Sequence, residues 1–203
     1  MKPEIEAKFL NVDHEALRVK LRELGAKCVV PERLMRRNMF DYPDGRLRTS
    51  RRRKILRLRD EGDRVTLTYK EDNTDSKYSK EVETTVGDFE IAAQLLQTIG
   101  LERYGVIEQR RETWHFGDVE VLLDEWPWID PFIEIEGPSE SAVKLAAEAL
   151  GFDWGGAKFG GPNLIYREKY PGMTQEDSIN SLSELLFGER LPEFFKERLQ
   201  PQK

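Results

Sequence analysis

Glu4, Glu6 and Lys8 stand at alternate positions of the opening stretch PEIEAKFL, with Ile5, Ala7 and Phe9 on the intervening ones. Successive side chains of an extended chain point to opposite faces, so two carboxylates and an ammonium share one side. The pattern recurs. Arg57 and Arg59 alternate with Leu56 and Leu58, and Lys70 follows Thr66 and Thr68 opposite Val65, Leu67 and Tyr69. Glu81 and Glu83 flank Val82, and Glu134 and Glu136 alternate with Ile133 and Ile135. Arg111 in QRRETW and Asp124 in VEVLLDEW complete the set, although Leu122 shares the face of Asp124. The ionic sides thus carry five cations (Lys8, Arg57, Arg59, Lys70, Arg111) and seven carboxylates (Glu4, Glu6, Glu81, Glu83, Asp124, Glu134, Glu136).

Guanidinium groups grip phosphate oxygens in bidentate fashion, and lysine acts as a point charge. Carboxylates repel phosphate, yet they hold Mg2+ or Mn2+, which bridges to it. Cations and carboxylates on one face therefore describe a cradle for a metal-bound triphosphate. The same charges buried without a guest would be severely costly. One strand of this kind reads as the solvated face of an open sheet. Repetition over six or more favours a wet, charged lumen instead.

The elements that must position these groups are mostly strands. Alternation predicts them near 3–11, 27–42, 54–60, 63–71, 78–86, 104–116, 118–126 and 129–137. RDEGDRV (59–65) and HFGDVEV (115–121) each place a glycine between alternating runs, as hairpin turns do. Helices are predicted at 13–25, with an Asp cap and terminal Gly, and at 88–99 and 139–150. The stretch GFDWGGAKFGGPN reads as a connector that lacks the phosphate-loop spacing, and LIYREKY reads as a short strand. TQEDSINSLSELLF carries a capping signal and an apolar stripe, which predicts a C-terminal helix. The architecture expected is α+β, mainly antiparallel, with a closed eight-stranded barrel and helices packed outside. Residues 1–170 form the barrel domain in this reading, and 171–203 a helical tail.

Composition narrows the chemistry. Charged residues make up 34% of the 203-residue chain, above the usual quarter of a globular domain, so they must lie on the surface, pair, or line a wet cavity. The net charge of −6 argues against a general nucleic-acid binder. Cys28 is the only cysteine and His14 and His115 the only histidines, which removes disulfide frameworks and most zinc chemistry. No apolar run approaches the ~20 residues needed to cross a bilayer, and MKPEIEAKF has no signal-peptide core, so a cytoplasmic protein is expected. Trp114, Trp126, Trp128 and Trp154 are read as covering the barrel, and His115 as structural. Arg51, Arg52, Arg53 and Lys54, with Arg46 and Arg48 upstream, read as a solvated basic turn.

Taken in order, ExExK (Glu4, Glu6, Lys8), FDYPDGRLR (40–48), LRLR (56–59), LTYK (67–70), EVE (81–83), RRETW (110–114), LLDEW (122–126) and FIEIEG (132–137) resemble the CYTH family over about residues 2–170. Its members, also called triphosphate tunnel metalloenzymes, include class IV adenylyl cyclases and thiamine and inorganic triphosphatases. The sequence departs from the family pattern at Gln109, where relatives often carry a basic residue. The resemblance implies a triphosphate tunnel with one or two divalent cations, Mg2+ or Mn2+. It implies that Lys8, Arg57, Arg59, Lys70 and Arg111 bind the triphosphate and serve the reaction. It further implies that Glu4, Glu6, Asp124, Glu134 and Glu136 hold metal, and that Glu81 and Glu83 balance or orient the cations. Glu4 also stands as a catalytic candidate, beside a second ion that activates water.

Three activities stay open on these residues: hydrolysis of an inorganic or organic triphosphate, cyclisation of ATP to cyclic AMP, and binding of polyphosphate or nucleotide without turnover. The expected partner is a triphosphate-containing small molecule, with neither membrane nor nucleic acid, and a second copy of the chain is the candidate protein partner.

Overall fold

A computed structural model describes residues 2–50, 54–71, 78–174 and 176–199. In chain order the elements are β1 (Lys2–Pro3), β2 (Glu6–Leu10), α1 (His14–Glu23), β3 (Lys27–Asp41), β4 (Lys54–Asp60), β5 (Val65–Glu71), β6 (Lys80–Val86), α2 (Phe89–Thr98) and β7 (Glu102–Phe116). There follow β8 (Val119–Glu125), β9 (Phe132–Glu136), α3 (Glu140–Ala149), α4 (Asn163–Lys169), β10 (Glu184–Leu185) and α5 (Glu193–Lys196). The ladders run in the order β1-β6-β5-β4-β3-β7-β8-β9-β2, with β10 on β7. Where register is described the pairs are antiparallel, except that β10 lies parallel to β7. The fold is α+β dominated by antiparallel sheet.

The chain divides into two compact units: residues 1–4, 33–109 and 179–187 in the first, and 5–32, 110–178 and 188–203 in the second. In the first, Leu58 and Phe40 of the sheet's apolar face pack under Ala93 and Leu96 of α2, with Leu56, Val65, Leu67 and Val86 around them. Asp88 starts α2 by accepting from the Ile91 N–H at 2.8 Å. In the second, Ala7, Phe9, Trp114, Val121, Leu123, Ile133 and Ile135 form one apolar face. Leu17 and Leu21 of α1 and Val143, Ala146 and Ala147 of α3 cover it. The caps Asp13 and Ser139 accept from the Ala16 and Ala142 N–H groups and set where those helices begin. In each unit the hydrophobic side of the strands is therefore spent on helices, which leaves the ionic side for other work.

Gly137 ends β9 where backbone must pass close to two buried valines. A Cβ there would lie 2.8 Å from Val119 Cγ1 and 3.2 Å from Val143 Cγ2. Gly137→Ala is accordingly expected to cost about 1–3 kcal/mol in urea unfolding, the range for overpacking a filled core.

The closed eight-stranded barrel expected from the sequence is corrected by the ladder order, which has two ends, β1 and β2. The N-terminal segment, predicted as one strand over 3–11, is two short strands, one on β6 and the other on β9. Pro3 has no N–H with which to extend a ladder. Between the two strands the Glu4 N–H bonds Ser79 O at 3.1 Å, while Ile5 O accepts from the Gly137 N–H at 3.0 Å. The other edge of β2 is taken by the glycine-rich stretch: Lys8 and Lys158 exchange backbone hydrogen bonds of 2.9 Å each. The stretch expected as a connector is therefore in part an edge partner.

Two further elements differ from their expectation. LIYREKY is helical, as α4, because Ile165, Tyr166 and Tyr170 are all buried and lie on one helical face, which a strand would split. The stretch predicted as the tail helix holds a 3-10 turn at Ile179–Ser181 and then β10, whose Leu185 is fully buried. The tail's helical piece is α5, where Phe195 is buried against Tyr166 and Tyr170 at centroid distances of 5.2 and 4.6 Å. No helix among the described residues is long and apolar enough to cross a membrane.

Candidate functional site

The ionic side of the second unit is an ion network built on four strands. Arg111 on β7 faces Asp124 on β8, its register partner, and donates to both carboxylate oxygens at 2.7 and 2.5 Å. The same guanidinium donates to Glu134 on β9 at 2.7 Å. Lys8 on β2, register partner of Glu134, lies 3.3 Å from it and donates to Glu6 at 2.5 Å. Glu134 therefore bridges the two cations, one oxygen to each. Four of the five groups are buried and Arg111 is partly so: Asp124 is fully buried, Lys8 is 1% exposed, and Glu134 and Glu6 are below 10%. Burial alone would lower the Arg111 guanidinium, but Asp124 and then Glu134 outweigh it and hold it well above its ordinary value. Glu136 lies opposite both Glu6 and Glu120 in the register, next to this network.

Three carboxylates thus surround two cations, before Glu136 is counted. Buried charge of this density is stabilising only when well paired, and removing one member strands the others. Such an arrangement suits a guest that exchanges partners. Were a phosphate to take Lys8 and Arg111, carboxylate oxygens of Glu6, Asp124 and Glu134 would be freed, and those are donors that would suit a divalent cation.

The ionic side of the first unit is organised in rows across β4, β5 and β6. Arg57 donates to Thr68 Oγ1 at 3.1 Å and lies 3.4 Å from Glu83, to which Thr68 donates at 2.5 Å. Lys70 ion-pairs with Glu4, which also accepts from Ser79 at 3.2 Å. Lys70 and Glu81 are register partners. Arg59 donates through Nε (2.8 Å) and Nη2 to a single oxygen of Glu61. Arg37 on β3, 7% exposed, is the register partner of Arg59. Burial raises the Glu81 carboxyl above its ordinary value, and neighbouring Glu4 pushes the same way.

That shift has a testable sign. A carboxyl whose folded pKa is raised penalises the folded state at any pH where the unfolded chain is ionised. Glu81→Gln should therefore raise the urea midpoint at pH 7, with the gain disappearing as pH falls below the ordinary glutamate value of 4.5. The midpoint measured at pH 7 and pH 4 checks this.

Of the twelve ionic residues that the sequence places on the charged sides, Glu6, Lys8, Arg111, Asp124 and Glu134 gather in one network and Glu4, Arg57, Lys70 and Glu83 form pairs in the other unit, a grouping the sequence did not foresee. Glu4 is the partner of Lys70 in the first unit, whereas Glu6, Asp124 and Glu134 gather in the second. Glu61 and Arg37 were missed. Glu61 sat in a stretch read as a turn, yet its parity with Arg57 and Arg59 marked it as a carboxylate on their face. Arg51, Arg52 and Arg53 of the basic run lie outside the described residues. Arg48 rests over the Tyr104 ring at 4.7 Å, and buried Asp41 holds this loop through the N–H groups of Leu47 and Arg48 at 3.0 Å each.

For a divalent cation, the donors on offer are carboxylate oxygens only, the set that Mg2+ and Mn2+ prefer. Among the described residues, no three acidic, histidine or cysteine side chains are drawn together at metal-binding range. Their oxygens point instead at Lys8 and Arg111. Donor chemistry fits the metal, with those ion pairs as what must be exchanged.

Known proteins share this framework. A Pyrococcus horikoshii structure superposes with a TM-score of 0.63 at 25% identity, over 80% of this chain and 98% of that one. A Hippeastrum structure, described as a suspected adenylyl cyclase with a dominant triphosphatase activity, gives 0.57 at 17% identity, over 81% and 95%. A Methanocaldococcus jannaschii protein named as a suspected adenylate cyclase is 27% identical over 135 residues, 66% of this chain and 75% of that protein. The family model for the CYTH domain matches residues 2–153, which include every ionic residue described above. The chain belongs to the CYTH domain family.

Proposed function

We propose that this protein hydrolyses a triphosphate, inorganic or organic, with the help of a divalent cation. The observation that carries the reading is the buried network of Lys8, Arg111, Glu6, Asp124 and Glu134, in which carboxylates outnumber cations. Lys8, Arg57, Arg59, Lys70 and Arg111 take phosphate oxygens and offset the charge that develops during transfer. Glu6, Asp124, Glu134 and Glu136 hold Mg2+ or Mn2+, which polarises the phosphoryl group. Glu81 and Glu83 orient the cations beside them, and Glu4 does the same for Lys70. Phosphoryl transfer depends chiefly on positioning and charge, so no dedicated base is required.

Cyclisation of ATP is the second reading, favoured by the name of the Methanocaldococcus relative. It uses the same phosphate grip but also needs an adenine and a ribose hydroxyl held in line with the α-phosphorus. Hydrolysis asks only for what the charged faces supply.

The test is a panel of tripolyphosphate, thiamine triphosphate and ATP against Mg2+, Mn2+ and EDTA, with products identified. Orthophosphate released only with metal supports hydrolysis. Cyclic AMP from ATP transfers the assignment to cyclisation. Tight binding without turnover under every metal reduces the protein to a binding module.

A further inference from the structure

Glu61 is the least expected charge in the first unit. Its side chain is 1% exposed, at the turn that joins β4 to β5, and it collects donors from every direction. Oε1 accepts from Arg59 and, at 3.2 Å, from the Thr66 hydroxyl. Oε2 accepts from Arg64 Nε at 3.0 Å, with Arg33 Nη2 at 3.7 Å. The backbone joins in: Arg33 Nε donates to the Glu61 carbonyl at 3.0 Å, and the Glu61 N–H donates to Arg64 O at 2.9 Å. Burial would raise this carboxyl, but Arg59 and then Arg64 outweigh it and keep it below its ordinary value, hence ionised.

We propose that Glu61 is a positioning residue, a buried anionic clamp that fixes the Arg59 guanidinium in the orientation in which it meets a substrate phosphate. This rests on the triphosphate reading above and deepens it.

Three features carry the inference. The carboxylate is held by Thr66, Arg64, Arg33 and its own backbone, so it is in place whatever Arg59 does. It engages the Nε and Nη2 edge of Arg59, which turns the Nη1 side of the planar group away from Glu61. And it offsets a conflict: Arg37 and Arg59 are register partners on adjacent strands, both buried, and like charges directly opposite one another repel. Without Glu61, Arg59 would swing away from Arg37 and lose its aim. Misplacement of a catalytic group by about 1 Å costs on the order of a hundredfold in rate.

The experiment is a double-mutant cycle on kcat/KM for tripolyphosphate, using the full chain with Mg2+ or Mn2+, with thermal melting alongside. Glu61→Gln should lower kcat/KM about 10- to 100-fold in the natural background. In an Arg59→Ala background the same change should alter it less than about threefold, because a clamp with nothing to hold has no further effect. Glu61→Asp keeps the charge but withdraws the carboxylate by one methylene, and should show the same dependence on Arg59. It also keeps the proposal testable if Glu61→Gln fails to fold. Equal losses in both backgrounds, or no loss in the natural one, would overturn the positioning role while the triphosphate reading stands. A natural protein that neither binds nor cleaves tripolyphosphate would sink that reading and this inference together.

Discussion

Arg111→Ala is expected to destabilise the protein by about 3–5 kcal/mol and to abolish turnover at any substrate concentration. The guanidinium satisfies both oxygens of fully buried Asp124 and one of Glu134. Truncation leaves two adjacent carboxylates in a site with little water, and each loses its charge-assisted partner. Arg111→Lys should recover part of the stability but little activity, since a point charge cannot fork between Asp124 and Glu134. Urea unfolding supplies the first quantity and phosphate release the second. Pairing Arg111→Ala with Asp124→Asn should return some of the lost stability, because the stranded charge is the main cost.

If the proposed function holds, Lys8→Ala should reduce kcat/KM for tripolyphosphate by about 10²–10³-fold, comparable to losing one preorganised donor to a developing anion. Lys8 is 1% exposed and touches Glu6 and Glu134, so under the proposed function it stands where charge would be exchanged when a phosphate arrives. A purely structural lysine would give a different result: a lower melting temperature, with kcat/KM unchanged once the protein is folded. Measurement of both on the same preparation separates the two.

Much of this was legible in the chain because strict alternation admits one reading. Ile133 and Ile135 must go to the helices if Glu134 and Glu136 go to the other side, and a one-residue slip would bury the wrong set. Strands β3 to β9 and helices α1 to α3 therefore lie within a few residues of their expectation. The break between β1 and β2 was not legible, since it depends on the competition of Ser79, Gly137 and Lys158 for backbone groups of the N-terminal segment. Those partners are distant in sequence. The α4 segment was misread because Leu164, Ile165 and Tyr166 suit a strand locally, and only burial together with Tyr170 decides for a helix. Which carboxylate serves which cation was equally hidden. Parity assigns a face, whereas the pairing of Glu4 with Lys70 depends on which strands lie side by side and in what register.

The most direct test of the exchange of partners is a calorimetric titration of tripolyphosphate into the natural protein and into Glu134→Gln, each with Mg2+ and with EDTA. Tighter binding with Mg2+ to the natural protein is expected, with loss of that metal-dependent gain when Glu134 is neutral. Equal affinity with and without metal in both proteins, or no binding in either, would contradict it.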